Sequence, residues 1–112
     1  MNKWNIPLNL ELLILSRDSH CVYCGLKFES DPIMRGNKQS WEHIINDAKI
    51  VTIENIALCC VSCNASKGSK SLSTWLDSKY CKRKNITSLS IAAVAQNHLK
   101  LINQLETSGN NK

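Results

Sequence analysis

Apolar residues fall in short blocks separated by polar breaks, and each block has its own period. Leu8, Leu10, Leu12, Leu13 and Leu15 follow Pro7. Proline is tolerated in a first helical turn and Glu11 suits the positive end of a helix dipole, so this run predicts a helix to about Arg17. Asp18-Ser19 breaks it. Phe28 to Ser40 contains Pro32, Arg35, Gly36 and Lys38 without useful periodicity, and reads as a loop with at most one short strand. Trp41 to Ile45 has the apolar content of a strand. Ile50 to Ile53 is its expected hairpin partner, with Asn46-Asp47-Ala48-Lys49 supplying the turn. Ile56-Ala57-Leu58 follows as a further apolar stretch. Helices are expected from Asn64 to about Gly68 and from Ser71 to Lys79. The second has Ser71 or Ser73 as N-cap and Leu72, Trp75 and Leu76 on one face. Ile91, Ala95, His98, Ile102 and Leu105, widened by Val94, Leu99 and Leu101, predict a C-terminal helix over about 88–107. Gly109 and the polar tail are the expected end of order.

Composition narrows the class. A chain of 112 residues that is 43% hydrophobic reads as a single folded domain with a modest core, its centre over about 18–80. The formal net charge of +5 favours a polyanionic partner. The longest apolar stretch, Leu12 to Leu15, is too short to cross a membrane, and no basic segment followed by an apolar run suggests a signal peptide. Six cysteines in that setting point to a reducing, cytoplasmic environment and to metal rather than disulfides.

Two Cys-x-x-Cys pairs, Cys21/Cys24 and Cys60/Cys63, have the spacing of metal knuckles, and four thiolates can close a tetrahedral structural Zn²⁺ site. Gly25 permits the tight turn such a knuckle needs. Cys59 with Cys63 gives a competing Cys-x-x-x-Cys register. Cys60 is preferred because it reproduces the first spacing. Cys81 reads as a small packed or surface residue, and His98 as a partly buried or surface histidine with no ligand at metal spacing nearby.

A compact zinc ribbon separates its pairs by roughly 15–20 residues, whereas 35 residues lie between Cys24 and Cys60. The insertion carries Trp41-Glu42-His43-Ile44-Ile45 and Glu54-Asn55, and Asn64 directly follows the last knuckle cysteine. From Cys21 to about Leu76 the sequence resembles the HNH (His-Asn-His) endonucleases of the ββα-metal nuclease superfamily. His43, Asn55 and Asn64 match the three signature positions. The resemblance implies an α+β fold, a ββα-metal core stabilised by a four-cysteine zinc site and flanked by N- and C-terminal helices. It implies a metal-dependent endonuclease acting on DNA. Glu42 stands where aspartate is more frequent and Asn64 where the family name expects histidine. These departures bear on the metal more than on the reaction.

Each position has a chemical reading. A histidine at position 43 supplies the side-chain type that accepts a proton from water near neutral pH. Glu42 and Asn64 offer hard oxygens that suit Mg²⁺ or Mn²⁺. Neighbouring residues of a strand point to opposite sides, so Glu42 and His43 share a cleft only at a bent or terminal strand. The family resemblance gives Asn55 the role of bonding backbone across its loop and so holding the histidine. Lys67 and Lys70, followed by Lys79, Lys82, Arg83 and Lys84, are candidate phosphate contacts. One centre per chain implies one nicked strand per encounter, with a homodimer through the C-terminal helix as the route to double-strand cleavage. The alternatives are a non-catalytic zinc-stabilised DNA-binding module and a zinc-stabilised protein-interaction domain.

Overall fold

The computed structural model describes residues 2–110, with side chains described through residue 104. The fold is α+β. Helix α1 spans Leu8–Arg17, strands β1 and β2 span Gln39–His43 and Ile56–Cys60, and α2 spans Val61–Lys67. The short helices α3 and α4 span Leu72–Leu76 and Lys79–Arg83, and α5 spans Ala93–Asn110. No described helix is long and apolar enough to cross a membrane.

The two strands pair antiparallel, with Ser40 opposite Cys59, Glu42 opposite Ala57 and His43 opposite Ile56. All five residues of β2 are buried, because each face meets a different core. Ile56 and Leu58 join Ile6, Ile14, Leu10 and Trp41 against α1. Ala57 and Cys59 join Tyr23, Ile44, Leu72, Trp75, Cys81, Ile91 and Ala95 on the side of the knuckles and later helices. Full burial of an Ile or Leu contributes on the order of 1.5–3 kcal/mol, so β2 ties the two cores together.

The expected hairpin partner is corrected. The segment Ile50 to Ile53 is not a strand, and β1 pairs with Ile56–Cys60 instead. The cause is Asn55. Its Oδ1 accepts from the Ile45 amide at 2.7 Å, and its Nδ2 donates to the carbonyls of Ile45 and Ile50 at 3.2 and 3.0 Å. One side chain therefore takes up the backbone groups that a ladder from 45 to 50 would use. Arg17 closes the loop from outside, donating to the carbonyls of Ile53 and Ile56 at 2.6 and 2.8 Å. Buried Asp18 then accepts from the Leu58 amide at 3.1 Å.

Smaller differences have local causes. Between Phe28 and Ser40 lies a 3-10 turn at Arg35–Asn37, and β1 already begins at Gln39, two residues before the expected Trp41. A Cβ on Gly36 would stand 2.6 Å from Ser62 Oγ, so any other residue in this turn would require that hydroxyl at the start of α2 to shift. The helix expected from Ser71 to Lys79 is two, because Ser71 and Ser78 each cap a separate helix with a side-chain bond. Helix α2 starts three residues before Asn64, inside the knuckle itself. Helix α5 begins later than expected and runs on through Gly109. Ile91 and Ala95 are buried in the chain's own core, and the Ala92 amide bonds the Val22 carbonyl at 2.8 Å. The apolar stripe is therefore partly spent within the chain; Leu105 lies outside the described side chains. Leu8, Leu12, Leu13 and Leu15 of α1 stay exposed.

Candidate active site and metal centre

The knuckles converge as their spacing predicts. Cys21, Cys24, Cys60 and Cys63 place their sulfurs within 4.8 Å of one another. Zinc–sulfur bonds of about 2.3 Å in a tetrahedron imply sulfur separations of about 3.8 Å, and Cys24 Sγ lies 3.8 Å from Cys60 Sγ. The donor set and size fit a zinc-type site. Gly25 makes the first knuckle's turn at φ +79°, donating to the Cys21 carbonyl at 3.0 Å. Cys60 Sγ also accepts from the Cys63 amide at 3.4 Å as the N-cap of α2. Cys59 points to the other side, its Sγ 3.8 Å from Ser40 Oγ, where burial pushes its thiol above the ordinary range. It belongs to the core. Tyr80 donates to Cys63 Sγ at 3.3 Å, and Arg83 and Lys84 lie over its ring.

Helix α2 leaves the metal centre and runs beside β1, where Asn64 and Lys67, one turn apart, face the strand. Asn64 Nδ2 donates to Ser40 Oγ and to the Trp41 carbonyl at 3.0 and 3.1 Å. Its Oδ1 makes no hydrogen bond among the described residues. Lys67 is 1% exposed, donates to the Ile44 carbonyl at 3.1 Å and places Nζ 3.2 Å from Glu42 Oε2. Its expected role as a phosphate contact is corrected: the ammonium is buried against a carboxylate. Lys70 remains exposed, as do Lys79, Lys82, Arg83 and Lys84.

Glu42 is 5% exposed, and Tyr23 donates to its Oε2 at 2.6 Å. Burial first, and the neighbouring carboxylate second, hold the Tyr23 hydroxyl well above its ordinary range, so it stays a donor. Both contacts fall on Oε2, and Oε1 accepts no hydrogen bond among the described residues. Glu42 Oε1 and Asn64 Oδ1 are therefore two hard oxygens at the α2 side of β1 whose companion atoms are already held. That donor set fits a divalent cation.

His43 is the last residue of β1 and turns the other way, toward the N-terminal segment, where Trp4 packs edge-on at 5.8 Å between ring centres. Its Nε2 is buried and has no hydrogen-bond partner. The structure thus brings Glu42 and Asn64 to one face of the strand and leaves His43 at its end, on the opposite face. Asn55 bonds backbone across its loop, and its carbonyl accepts from the Ile44 amide at 2.9 Å, next to His43 in sequence. It does not touch the imidazole ring.

Sequence reasoning missed Tyr23, Trp4 and the burial of Lys67. The last was visible in outline, since Lys67 stands one helical turn after Asn64. Trp4 carried no signal.

Residues 21–70 match the family model described as HNH endonuclease. No curated protein and no solved structure matches the chain significantly. The matched segment holds both knuckles, both strands and α2, and with them His43, Asn55 and Asn64. On that match and on the knuckle geometry together, residues 21–70 of this chain are similar to the HNH endonucleases.

Proposed function

We propose that the protein is a metal-dependent endonuclease that hydrolyses DNA phosphodiester bonds, nicking one strand at each active site. The observation that carries this reading is the end of β1. A buried, unpartnered imidazole nitrogen on His43 sits one residue from Glu42, whose Oε1 accepts no hydrogen bond among the described residues and which lies on the same side of β1 as Asn64 of α2. A buried ring nitrogen without a partner is costly in a structural histidine and useful in a proton acceptor.

His43 is the general base in this reading, taking a proton from the attacking water at Nε2. Glu42 and Asn64 would hold Mg²⁺ or Mn²⁺, which supplies a Lewis acid for charge developing on the phosphate. A phosphodiester lying across the end of β1 meets both faces of the strand and so both groups. Exposed Lys70, Lys79, Lys82, Arg83 and Lys84 then meet flanking phosphates with sequence-independent, salt-sensitive affinity.

The Glu42–Lys67 pair supports a second reading. A lysine that already neutralises the carboxylate makes Glu42 structural, and the domain becomes a zinc-stabilised DNA-binding module without turnover. Incubation with supercoiled plasmid and Mg²⁺ or Mn²⁺ separates the two. The nuclease reading expects nicked circles from the wild type and none from His43→Ala, with equal zinc content and equal DNA binding. Retarded but uncut plasmid at every metal concentration would leave the binding module.

A further inference from the structure

A histidine acting as a general base needs its ring fixed, and the usual device is a hydrogen bond to the second nitrogen. His43 has none: neither ring nitrogen is hydrogen-bonded among the described residues, and Asn55 spends its carboxamide on the backbone of Ile45 and Ile50. The imidazole instead meets Trp4, whose ring lies 5.8 Å away at 67°, an edge-to-face arrangement that the ring quadrupoles favour.

Trp4 is itself held in place. Asn2 Oδ1 accepts from the Trp4 amide at 2.9 Å and from the Ile6 amide at 3.3 Å, and Asn5 turns through φ +59°. Ile6, fully buried beside Trp41 and Leu58, anchors the segment. Trp4 is not needed for that anchoring, since 40% of it remains exposed. The two buried side-chain polar atoms without partners among the described residues are Asn2 Nδ2 and His43 Nε2. Both belong to residues that contact Trp4. Unsatisfied buried groups are rare in folded proteins and gather where function demands them.

We propose that Trp4 is a positioning residue for the His43 base: its indole, packed against the imidazole in a T-shaped arrangement, sets the ring's rotation at the end of β1. This rests on the reading of His43 as the base. Lys3, with Nζ 5.3 Å from the indole centre, shares the same exposed surface, so nucleic acid arriving at the strand end meets the indole from its outer side.

The test uses the full-length zinc-loaded protein, with Trp4→Phe and Trp4→Ala as variants. By NMR, the His43 ring protons carry a ring-current displacement in the wild type. It is partly kept in Trp4→Phe and lost in Trp4→Ala. Plasmid nicking with Mn²⁺ loses between about tenfold and 10²-fold in kcat in Trp4→Ala at unchanged KM, and Trp4→Phe restores most of it. Unchanged kcat in Trp4→Ala would overturn the proposal, as would faster cleavage, which makes the indole a cover. A rise in KM alone would make Trp4 a nucleic-acid contact instead. Absence of any ring-current displacement in the wild type removes the contact itself. Full activity in His43→Ala is a separate outcome: it overturns the assignment of the base, whatever Trp4 does.

Discussion

Lys67 and Glu42 form an ion pair of 3.2 Å between two side chains that are almost wholly buried. The lysine comes from α2, one turn beyond Asn64, and the glutamate from β1, so the pair also fixes how the helix sits on the strand. Tyr23 adds a third contact from the first knuckle. Three segments that are distant in sequence are joined at one carboxylate oxygen.

Removing one member of such a pair strands the other. Lys67→Met is expected to cost about 3–5 kcal/mol, and Glu42→Gln in the same background to recover much of it, because the uncompensated charge is then gone. Urea denaturation of the two variants checks this. Additive losses would mean that the two side chains do not interact.

Metal analysis distinguishes the two neighbouring cysteines. Cys60→Ser removes a thiolate ligand while keeping a side chain able to cap α2, and is expected to unfold the protein or destabilise it severely, since structural zinc contributes on the order of 10 kcal/mol. Cys59→Ser should retain one zinc per chain and lose only core packing. Zinc lost from Cys59→Ser and kept by Cys60→Ser would reverse the register.

Asn55→Ala leaves the Ile45 amide and the carbonyls of Ile45 and Ile50 without their partner. Each buried group so exposed to loss costs roughly 1–3 kcal/mol. Hydrogen exchange at the Ile45 amide should accelerate before global unfolding does. An Ile45 amide protected as in the wild type would show that the loop holds without Asn55.

Acid sensitivity has one identifiable contributor on α5. Burial first, and the charge of Lys67 second, hold the His98 imidazole below its ordinary range. The unfolded chain therefore takes up that proton at higher pH than the folded one. The stability this carries is present above about pH 6.5 and is lost as pH falls toward the folded-state value. His98→Gln should flatten the fall in unfolding midpoint below that pH, with zinc content followed in parallel because thiolates also protonate. An unchanged slope would clear His98.

What the sequence revealed and what it withheld divide along physical lines. The metal ligands were legible because knuckle geometry fixes their spacing, and Cys60 was separable from Cys59 on spacing alone. α1 was legible from Pro7 and the leucine run. The partner of β1 was misread because Ile50 to Ile53 has strand composition, while the deciding contacts come from one carboxamide at Asn55 and one guanidinium at Arg17. Lys67 looked like a surface cation: its place one turn after Asn64 put it on the strand-facing side of α2, but no local pattern records that a carboxylate waits there. The facing of His43 toward Trp4 depends on 38 intervening residues folding first, so no local pattern could carry it.

Cys60 ends β2, holds a corner of the metal centre and caps α2. A single sulfur therefore couples strand, helix and ion, and the hairpin-to-helix unit should assemble in step with metal uptake. Each tenfold change in free zinc then moves the folding equilibrium by about 1.4 kcal/mol, and with it the fraction of chains in which Asn64 and Lys67 face β1. Zinc supply becomes a setting on how much folded protein exists, although four sulfurs would fill the ion's tetrahedral shell.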